Sequence, residues 1–238
     1  MTSTMSNMSP HSAADAAPTF NLRPLRAPDD FPHLAAVLNS SAAADGLDWA
    51  ETAESIANFL NNPYPCDPDR DVVVAEVAGE IAGYGRAWWR DMEDGVTVYI
   101  SSNFVAPAGR GLGVRRAMLH FTEARLRQIA AEHPPERPKL YQLFTDLNVA
   151  DLVELLTAEG YAPVRYAYKM VRPNLDDIPD FPLPAGLEVR PVRPEQIRAI
   201  LEADVDAFRG LWGFSEPTEA AYQAYISDPD RFQPEMWQ

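Results

Sequence analysis

The stretch "FVAPAGRGLGVRRAML", residues 104–119, combines residue types and a spacing that could do chemistry. An apolar, strand-like run is followed by a loop containing Arg110, Gly111 and Gly113, and then by residues with helical spacing. Glycine lacks a Cβ atom, so the backbone there can approach an anion and adopt conformations closed to other residues. A helix that begins near Gly113 leaves its first amides unpaired, at the positive end of its dipole. The loop therefore suits a pyrophosphate, although a simple strand-to-helix turn with solubilising arginines would read the same way.

The elements that must position this loop follow from the hydrophobic periodicity. Two-residue alternation and β-branched or aromatic residues predict strands, and apolar residues three and four apart predict helices. The predicted order is β-α-α-β-β-β-loop-α-β-α-β, with three consecutive antiparallel strands ending at Val105. This order predicts an α/β (α+β) fold, in which a mixed, mostly antiparallel sheet is flanked by helices. The predicted segments are 20–26, 27–41, 52–62, 71–90, 95–107, 113–133, 139–146, 148–160 and a closing strand over 161–171.

Composition and short echoes divide the chain into four parts. Residues 1–18 are small and polar without periodicity, which predicts a disordered tail before a domain over 19–171. Four prolines within residues 172–186 predict a linker. Beyond it, "VRPVRPEQI" repeats the pattern of "LRPLRAPDD" near the start, and "DPDR" occurs twice in the same relative order. Residues 187–238 are therefore interpreted as the N-terminal part of a second, incomplete copy, with one strand and two helices, which we expect to pack against the first domain or to be poorly ordered.

The charge balance limits the possible partners. The chain has 20 basic and 35 acidic residues, a formal net charge of −15. Such a surface repels phosphate backbones and anionic lipid, so we expect neither nucleic acid nor membrane as a partner. A small cationic amine is a more compatible partner, although many acidic proteins are simply soluble. A single cysteine, Cys66, and the lack of signal-peptide character predict a cytoplasmic protein.

The loop resembles a known family motif. The pattern V-x-P-x-x-R-G-x-G-V, with Val105, Pro107 and Arg110 through Val114, resembles the acyl-CoA-binding motif of the GNAT superfamily of N-acyltransferases. The predicted element order resembles that fold over residues 20–171, and two such units in tandem resemble the superfamily's two-domain branch. The resemblance implies acetyl-CoA as co-substrate, no metal, and a set of contacts along its pantetheine arm and pyrophosphate: Phe104, Val105, Arg110, Gly111, Leu112, Gly113, Val114, Arg115 and Asn148.

Three positions depart from the family pattern. Arg115 stands where the family usually has a small residue, and Leu156 stands where a tyrosine often protonates the leaving thiolate. The strand "YISSNFV" carries no glutamate base; Ser102 and Asn103, beside Ser101, could at most order a water molecule there. The other candidates for a base are the carboxylates of the turn "DMEDG", namely Asp91, Glu93 and Asp94, although a solvated turn explains them as well.

These observations predict transfer of an acetyl or other acyl group from its CoA thioester to an amine, by direct attack without a covalent enzyme intermediate. The alternative is a catalytically inactive domain that binds acyl-CoA or serves as a scaffold. The four histidines show no metal-ligand spacing, so no metal site is expected. The acceptor amine and the oligomeric state stay open, with a homodimer as one option.

Overall fold

The computed structural model describes residues 19–61, 65–228 and 231–237; the predicted N-terminal tail lies outside them. One five-stranded sheet, with spatial order β1-β2-β3-β4-β5, forms the centre of the molecule. Its strands are β1 (Phe20–Pro24), β2 (Val72–Val77), β3 (Glu80–Asp91), β4 (Thr97–Val105) and β5 (Lys139–Leu143). The first four strands pair antiparallel and β5 pairs parallel to β4. This arrangement confirms the predicted fold class and the predicted three-stranded meander.

Helices cover both faces of the sheet. The helices are α1 (Phe31–Ala44), α2 (Ala53–Asn61), the single turn α3 (Pro68–Asp71), α4 (Val114–Glu132), α5 (Ala150–Ala158), α6 (Ile197–Phe208) and α7 (Glu219–Ile226). On one face, α1 and α2 bury Leu34, Leu38 and Ile56 against Val74 and Tyr84 of the sheet. On the other face α4 packs through residues such as Val114, Met118 and Leu126. The loop between β4 and α4 is thus held between two packed layers.

Pairs of opposite charge tie β1 and α4 into the fold. Arg23 of β1 donates to both carboxylate oxygens of Asp30, at 2.7 and 2.9 Å. Burial by itself would raise the pKa of Asp30, but the hydrogen bonds from Arg23 and from the Arg26 amide outweigh it and lower that pKa. Across the sheet, Arg125 of α4 pairs at 2.6 Å with Asp71, which is 3% exposed. Removing one partner of such a buried pair leaves an uncompensated charge and strongly destabilises the folded protein.

Two predicted strands do not form. Residues 161–171, expected to close the sheet, run without strand pairing, and Tyr168 and Met170 are 87% and 93% exposed. Residues 187–193, expected as the first strand of the second copy, are likewise unpaired. Their alternating apolar residues match a strand pattern, but a strand exists only when a neighbouring strand accepts its hydrogen bonds. Within the described residues, no strand lies beside the outer edge of β5.

The C-terminal part packs on the first domain through a few contacts. The Glu93 amide donates to Phe214 O at 3.1 Å, and Gly210 N donates to the Glu93 carboxylate at 2.9 Å. Asn58 of α2 donates to the buried Asp228 at 3.0 Å. The helices α6 and α7 form as expected, while Phe208, Leu211 and Trp212 are about half exposed. The tandem arrangement and the domain boundaries remain predictions.

Candidate functional site

The loop between β4 and α4 has a backbone shaped by two glycines. After β4 ends at Val105, a single 3-10 turn (Pro107–Gly109) leads to Gly111 and Gly113, with φ of +75° and +82°. A Cβ on Gly111 would meet nothing within 4 Å, and one on Gly113 would lie 3.8 Å from a Phe20 ring carbon. Glycine is therefore required here by the left-handed backbone conformation rather than by lack of space.

Six consecutive amides of this loop have no partner. Within the described part of the chain, none of the N–H groups from Gly111 to Arg116 donates a hydrogen bond. Three of these amides belong to the first turn of α4, where the helix dipole is positive. Adjacent amides around residues of positive φ form a concave anion site. Such a site can accommodate a phosphate group; that this loop binds one stays a prediction, since the first amides of any helix are unpaired.

Leu112, Val114 and Val105 contribute to this site through their backbone. Val105 and Val114 are fully buried in one core cluster with Met118, and Leu112 packs against it. Their side chains fix the loop to the sheet and leave its amides facing outward. Any contact of Val105 with a bound arm would therefore be made by its backbone, and that contact stays a prediction.

Arg110 does not offer its charge to the loop. Its guanidinium donates to both carboxylate oxygens of Asp45, each at 2.7 Å, and to Ser41 Oγ at 3.1 Å. These hydrogen bonds to Asp45 raise the pKa of Arg110. Because Ser41 belongs to α1 and Asp45 directly follows it, this pair ties the loop to α1. Arg110 is a positioning residue.

β4 and β5 separate beside the loop. Their parallel pairing runs from Thr97↔Lys139 to Ser101↔Leu143 and stops there. Residues 102–105 of β4 pair only with β3. One edge of this four-residue segment therefore presents backbone amides and carbonyls without a neighbouring strand. An extended, amide-containing ligand could bind along such an edge as a further strand would.

The two predicted catalytic candidates face opposite sides of the sheet. Asn103 points toward α4, where its Nδ2 donates to Ser101 Oγ at 2.7 Å; Ser101 Oγ is in turn hydrogen bonded to Thr122 Oγ1 at 2.7 Å. The Asn103 Oδ1 atom is buried and has no partner among the described residues. Ser102 faces α1 and α2, and Trp88 Nε1 donates to its hydroxyl at 3.4 Å. Only Ser102 is placed on the face where an acceptor could approach opposite α4.

An aromatic wall lies beside Ser102. The Phe104 ring packs on Tyr84 at 5.1 Å between centroids and on Trp49 at 5.9 Å. Trp49 comes from the segment between α1 and α2, which thus lies over the end of β4. Phe104 is placed on this wall as an aromatic surface rather than inside the sheet core.

Glu51 is a carboxylate that the sequence analysis missed. Asn39 of α1 fixes its backbone on both sides, accepting from the Glu51 amide at 2.8 Å and donating to the Glu51 carbonyl at 2.9 Å. Its carboxylate accepts from Ser55 Oγ and, at 3.0 Å, from Arg231 Nη2. Burial raises the pKa of the Tyr84 phenol, and the nearby charge of Glu51 raises it further. No local motif marks Glu51, because its position depends on contacts with residues distant in sequence.

The hairpin carboxylates lie at the far end of β4. Asp91 pairs in register with Thr97, the first residue of that strand. Asp91 accepts from Thr97 Oγ1 at 2.6 Å, and Asp94 accepts from the Val96 amide at 3.1 Å. Glu93 contacts the C-terminal part, as described above. These carboxylates serve the hairpin, so the solvated-turn interpretation of them is the better one.

The two positions named from the family pattern, Leu156 and Asn148, supply neither a tyrosine acid nor a buried asparagine. Leu156 packs in a core cluster with Leu119 and Leu152. Asn148 lies exposed before α5, and its backbone amide donates to Asp146 Oδ1 at 2.8 Å. Its side chain is open to solvent, so a contact with a ligand stays a prediction. Within residues 19–61, 65–228 and 231–237, no group of three or more His, Cys, Asp or Glu side chains could hold a metal, and no helix is long and apolar enough to cross a bilayer.

Comparison with known proteins agrees with this geometry. Residues 37–133 match the model of the acetyltransferase (GNAT) family. The match includes β4, the loop and the whole of α4. Among curated proteins, no match is found.

The chain is also similar to solved structures. The crystal structure of a GCN5-related N-acetyltransferase from Sphaerobacter thermophilus superposes with a TM-score of 0.59 at 22% identity, covering 92% of this chain and 66% of that one. The chain thus spans just under two thirds of that relative. A transcriptional regulator from Bacillus halodurans C-125 gives a TM-score of 0.49 at 16% identity, with coverage of 65% and 100%. A ribosomal-protein-alanine N-acetyltransferase from Brucella melitensis gives 0.45 at 17%, with coverage of 65% and 98%. Of these three structures, the first has a TM-score above 0.5, and at 22% identity its likeness shows the fold alone.

Proposed function

We propose that this chain transfers an acetyl group from acetyl-CoA to the amine of a small cationic molecule. The observation that carries the proposal is the row of six unpaired amides from Gly111 to Arg116, directly beside the open edge of β4. The amides would bind a diphosphate and the open edge of β4 would bind an extended arm, so together they suit the two halves of an acyl-CoA. The family match over residues 37–133 supports the same assignment.

The residues present suit such a ligand chemically. Backbone donors at a helix N-terminus stabilise phosphate charge without a full cation, which matters where nearby arginines are paired. The glycines leave space in front of the amides, since a Cβ on Gly111 would meet nothing within 4 Å. Acetyl-CoA supplies an activated thioester carbonyl; the chain supplies binding, alignment and donors for the carbonyl oxygen.

Direct transfer needs only one bond exchange. The ammonium group first loses one proton, and the neutral nitrogen then attacks the thioester carbon. The carbon–sulfur bond breaks, and the second proton lost by the nitrogen is taken up by the leaving thiolate. Ser102, with its hydroxyl bonded by Trp88 at 3.4 Å, is placed to order a water that carries the proton from the amine. Glu51 lies on the same side of the sheet, beside Tyr84, and is the carboxylate that would finally accept it.

The acidic surface supports a cationic acceptor. The formal net charge of −15 attracts amines that are protonated at neutral pH and repels anionic partners. The cytoplasmic location, the tandem arrangement and a homodimer belong to the same proposal.

The test is product formation with acetyl-CoA and a panel of polyamines, amino sugars and amino acids, read by mass spectrometry. We expect an acetylated amine and stoichiometric free thiol, both abolished by Gly113→Trp, which fills the loop. Gly95→Trp, at a hairpin glycine also of positive φ, is the matched control and should retain activity. Saturable binding of acetyl-CoA without any product would favour the inactive, ligand-binding alternative, which the comparisons do not support.

A further inference from the structure

Arg115 lies across the opening between β4 and α5, although it is only the second residue of α4. Its side chain is 9% exposed. Nε donates to Asp151 of α5 at 3.2 Å, and Nη1 reaches the carbonyl oxygen of Asn103 on the open edge of β4 at 3.5 Å. The Arg115 side chain therefore lies between the unpaired amides of the loop and the unpaired edge of β4.

The guanidinium is incompletely satisfied in this position. Nη2 is buried and donates to no group in the described part of the chain. The contact with Asn103 is at the limit of hydrogen bonding, and Asp151, the only carboxylate paired with Arg115 there, is 43% exposed. Burial lowers the pKa of Arg115, and the charge of Asp151 offsets only part of that effect. A buried cation with a free donor is costly unless a second anion completes its shell.

We propose that Arg115 exchanges Asp151 for the diphosphate of the bound acyl-CoA. This inference rests on the proposed function of the loop and assigns the charged partner of its ligand. The planar guanidinium fork matches phosphate oxygens in a bidentate manner, which the backbone amides cannot do. Asp151 acts as a stand-in anion that holds Arg115 in place while the site is empty.

The exchange also connects the two halves of the site. When Arg115 turns toward the diphosphate, Nη1 leaves the Asn103 carbonyl, which then becomes available on the edge of β4. Binding of the charged end of the ligand thereby opens the path for its extended arm. Arg115 is unusually large for this position of the family motif, and in this proposal it helps to bind acyl-CoA and does not block it.

Calorimetric titration with acetyl-CoA tests the exchange on the full chain. Arg115→Ala should weaken binding about 10- to 100-fold, the typical worth of a charge-assisted hydrogen bond, and should reduce the dependence of affinity on salt. Arg127→Ala is the matched control. Arg127 lies on the same helix, away from the loop, and also pairs with a carboxylate, Glu123 at 3.6 Å, but it is 64% exposed, so its loss should change affinity less than about 3-fold.

Asp151→Asn examines the other partner and keeps the test decisive if Arg115→Ala does not fold. Without its stand-in anion, Arg115 is free for the ligand, so Asp151→Asn should bind acetyl-CoA several-fold more tightly. Glu159→Gln removes an equal charge from the neighbouring Arg116–Glu159 pair, 2.8 Å apart, and should leave the affinity for acetyl-CoA unchanged. The exchange is wrong if Arg115→Ala binds as tightly as the wild type, or if Asp151→Asn and Glu159→Gln behave alike. Absence of acetyl-CoA binding in the folded wild type would instead refute the proposed function itself.

Discussion

Replacing Gly113 by alanine tests whether the loop conformation, rather than its composition, makes the site. Gly113 has φ +82°, and an added Cβ would meet only Phe20 at 3.8 Å, so the substitution introduces backbone strain without a clash. Holding a non-glycine residue in the left-handed region costs about 1–2 kcal/mol. For a chain of this size, each kcal/mol lowers Tm by about 2–4 °C.

Gly95 provides the control with the same strain. It has φ +86° in the β3–β4 hairpin, and a Cβ there would meet nothing within 4 Å. Gly95→Ala and Gly113→Ala should therefore lose similar stability in thermal unfolding followed by circular dichroism. Only Gly113→Ala should also weaken acetyl-CoA binding in calorimetric titration, by about 10-fold or more. Relief of its strain turns the adjacent amides, and one lost bond to a charged group is worth about 1.5–3 kcal/mol.

Two results would refute this reasoning. If Gly113→Ala loses stability but binds acetyl-CoA with unchanged affinity, the unpaired amides from Gly111 to Arg116 do not hold the ligand. If Gly95→Ala weakens binding as much as Gly113→Ala does, the effect comes from general destabilisation and not from the loop.

Three other predictions concern residues outside the loop. Glu51→Gln should lower acetyl-transfer turnover about 100-fold and leave acetyl-CoA affinity unchanged, as expected for loss of a proton acceptor. Glu54→Gln, at an exposed residue, should change neither quantity. Equal activities of the two variants would exclude Glu51 as the proton acceptor. Because the folded pKa of Asp30 lies below the usual pKa of an aspartate, about 3.9, its pairing with Arg23 stabilises the protein above about pH 4 and is lost on further acidification. Tm of the wild type should thus fall more steeply below pH 4 than Tm of Asp30→Asn, and parallel curves would contradict this. Burial raises the pKa of the Cys66 thiol, so at pH 8 it should react with Ellman's reagent at least about 10-fold more slowly in the native than in the denatured protein; equal rates would contradict the burial.

The sequence predicts the parts of this structure that depend on neighbouring residues. Alternating β-branched and aromatic residues predict the meander, and helical spacing after Gly113 predicts α4; both are confirmed. The need for glycine in the loop also follows from local geometry, as the positive φ of Gly111 and Gly113 shows. These features require no knowledge of distant contacts.

The remaining features depend on contacts that sequence spacing does not reveal. Arg110 and Asp45 are 65 positions apart, so the sequence does not reveal that their pairing fixes the loop to the end of α1. The direction of the Arg115 side chain depends on Asp151 in another helix. Residues 161–171 carry a strand pattern but find no strand to pair with among the described residues, so local propensity misleads there.

The most direct test of the central claim is to record amide chemical shifts of the 15N-labelled protein during titration with acetyl-CoA. We predict the largest shifts for the amides of residues 111–116, whose N–H groups would gain partners, followed by residues 102–105 on the open edge of β4. Spectra that remain unchanged at saturating ligand, or shifts confined to residues away from the loop, would contradict the proposal that this loop binds acyl-CoA.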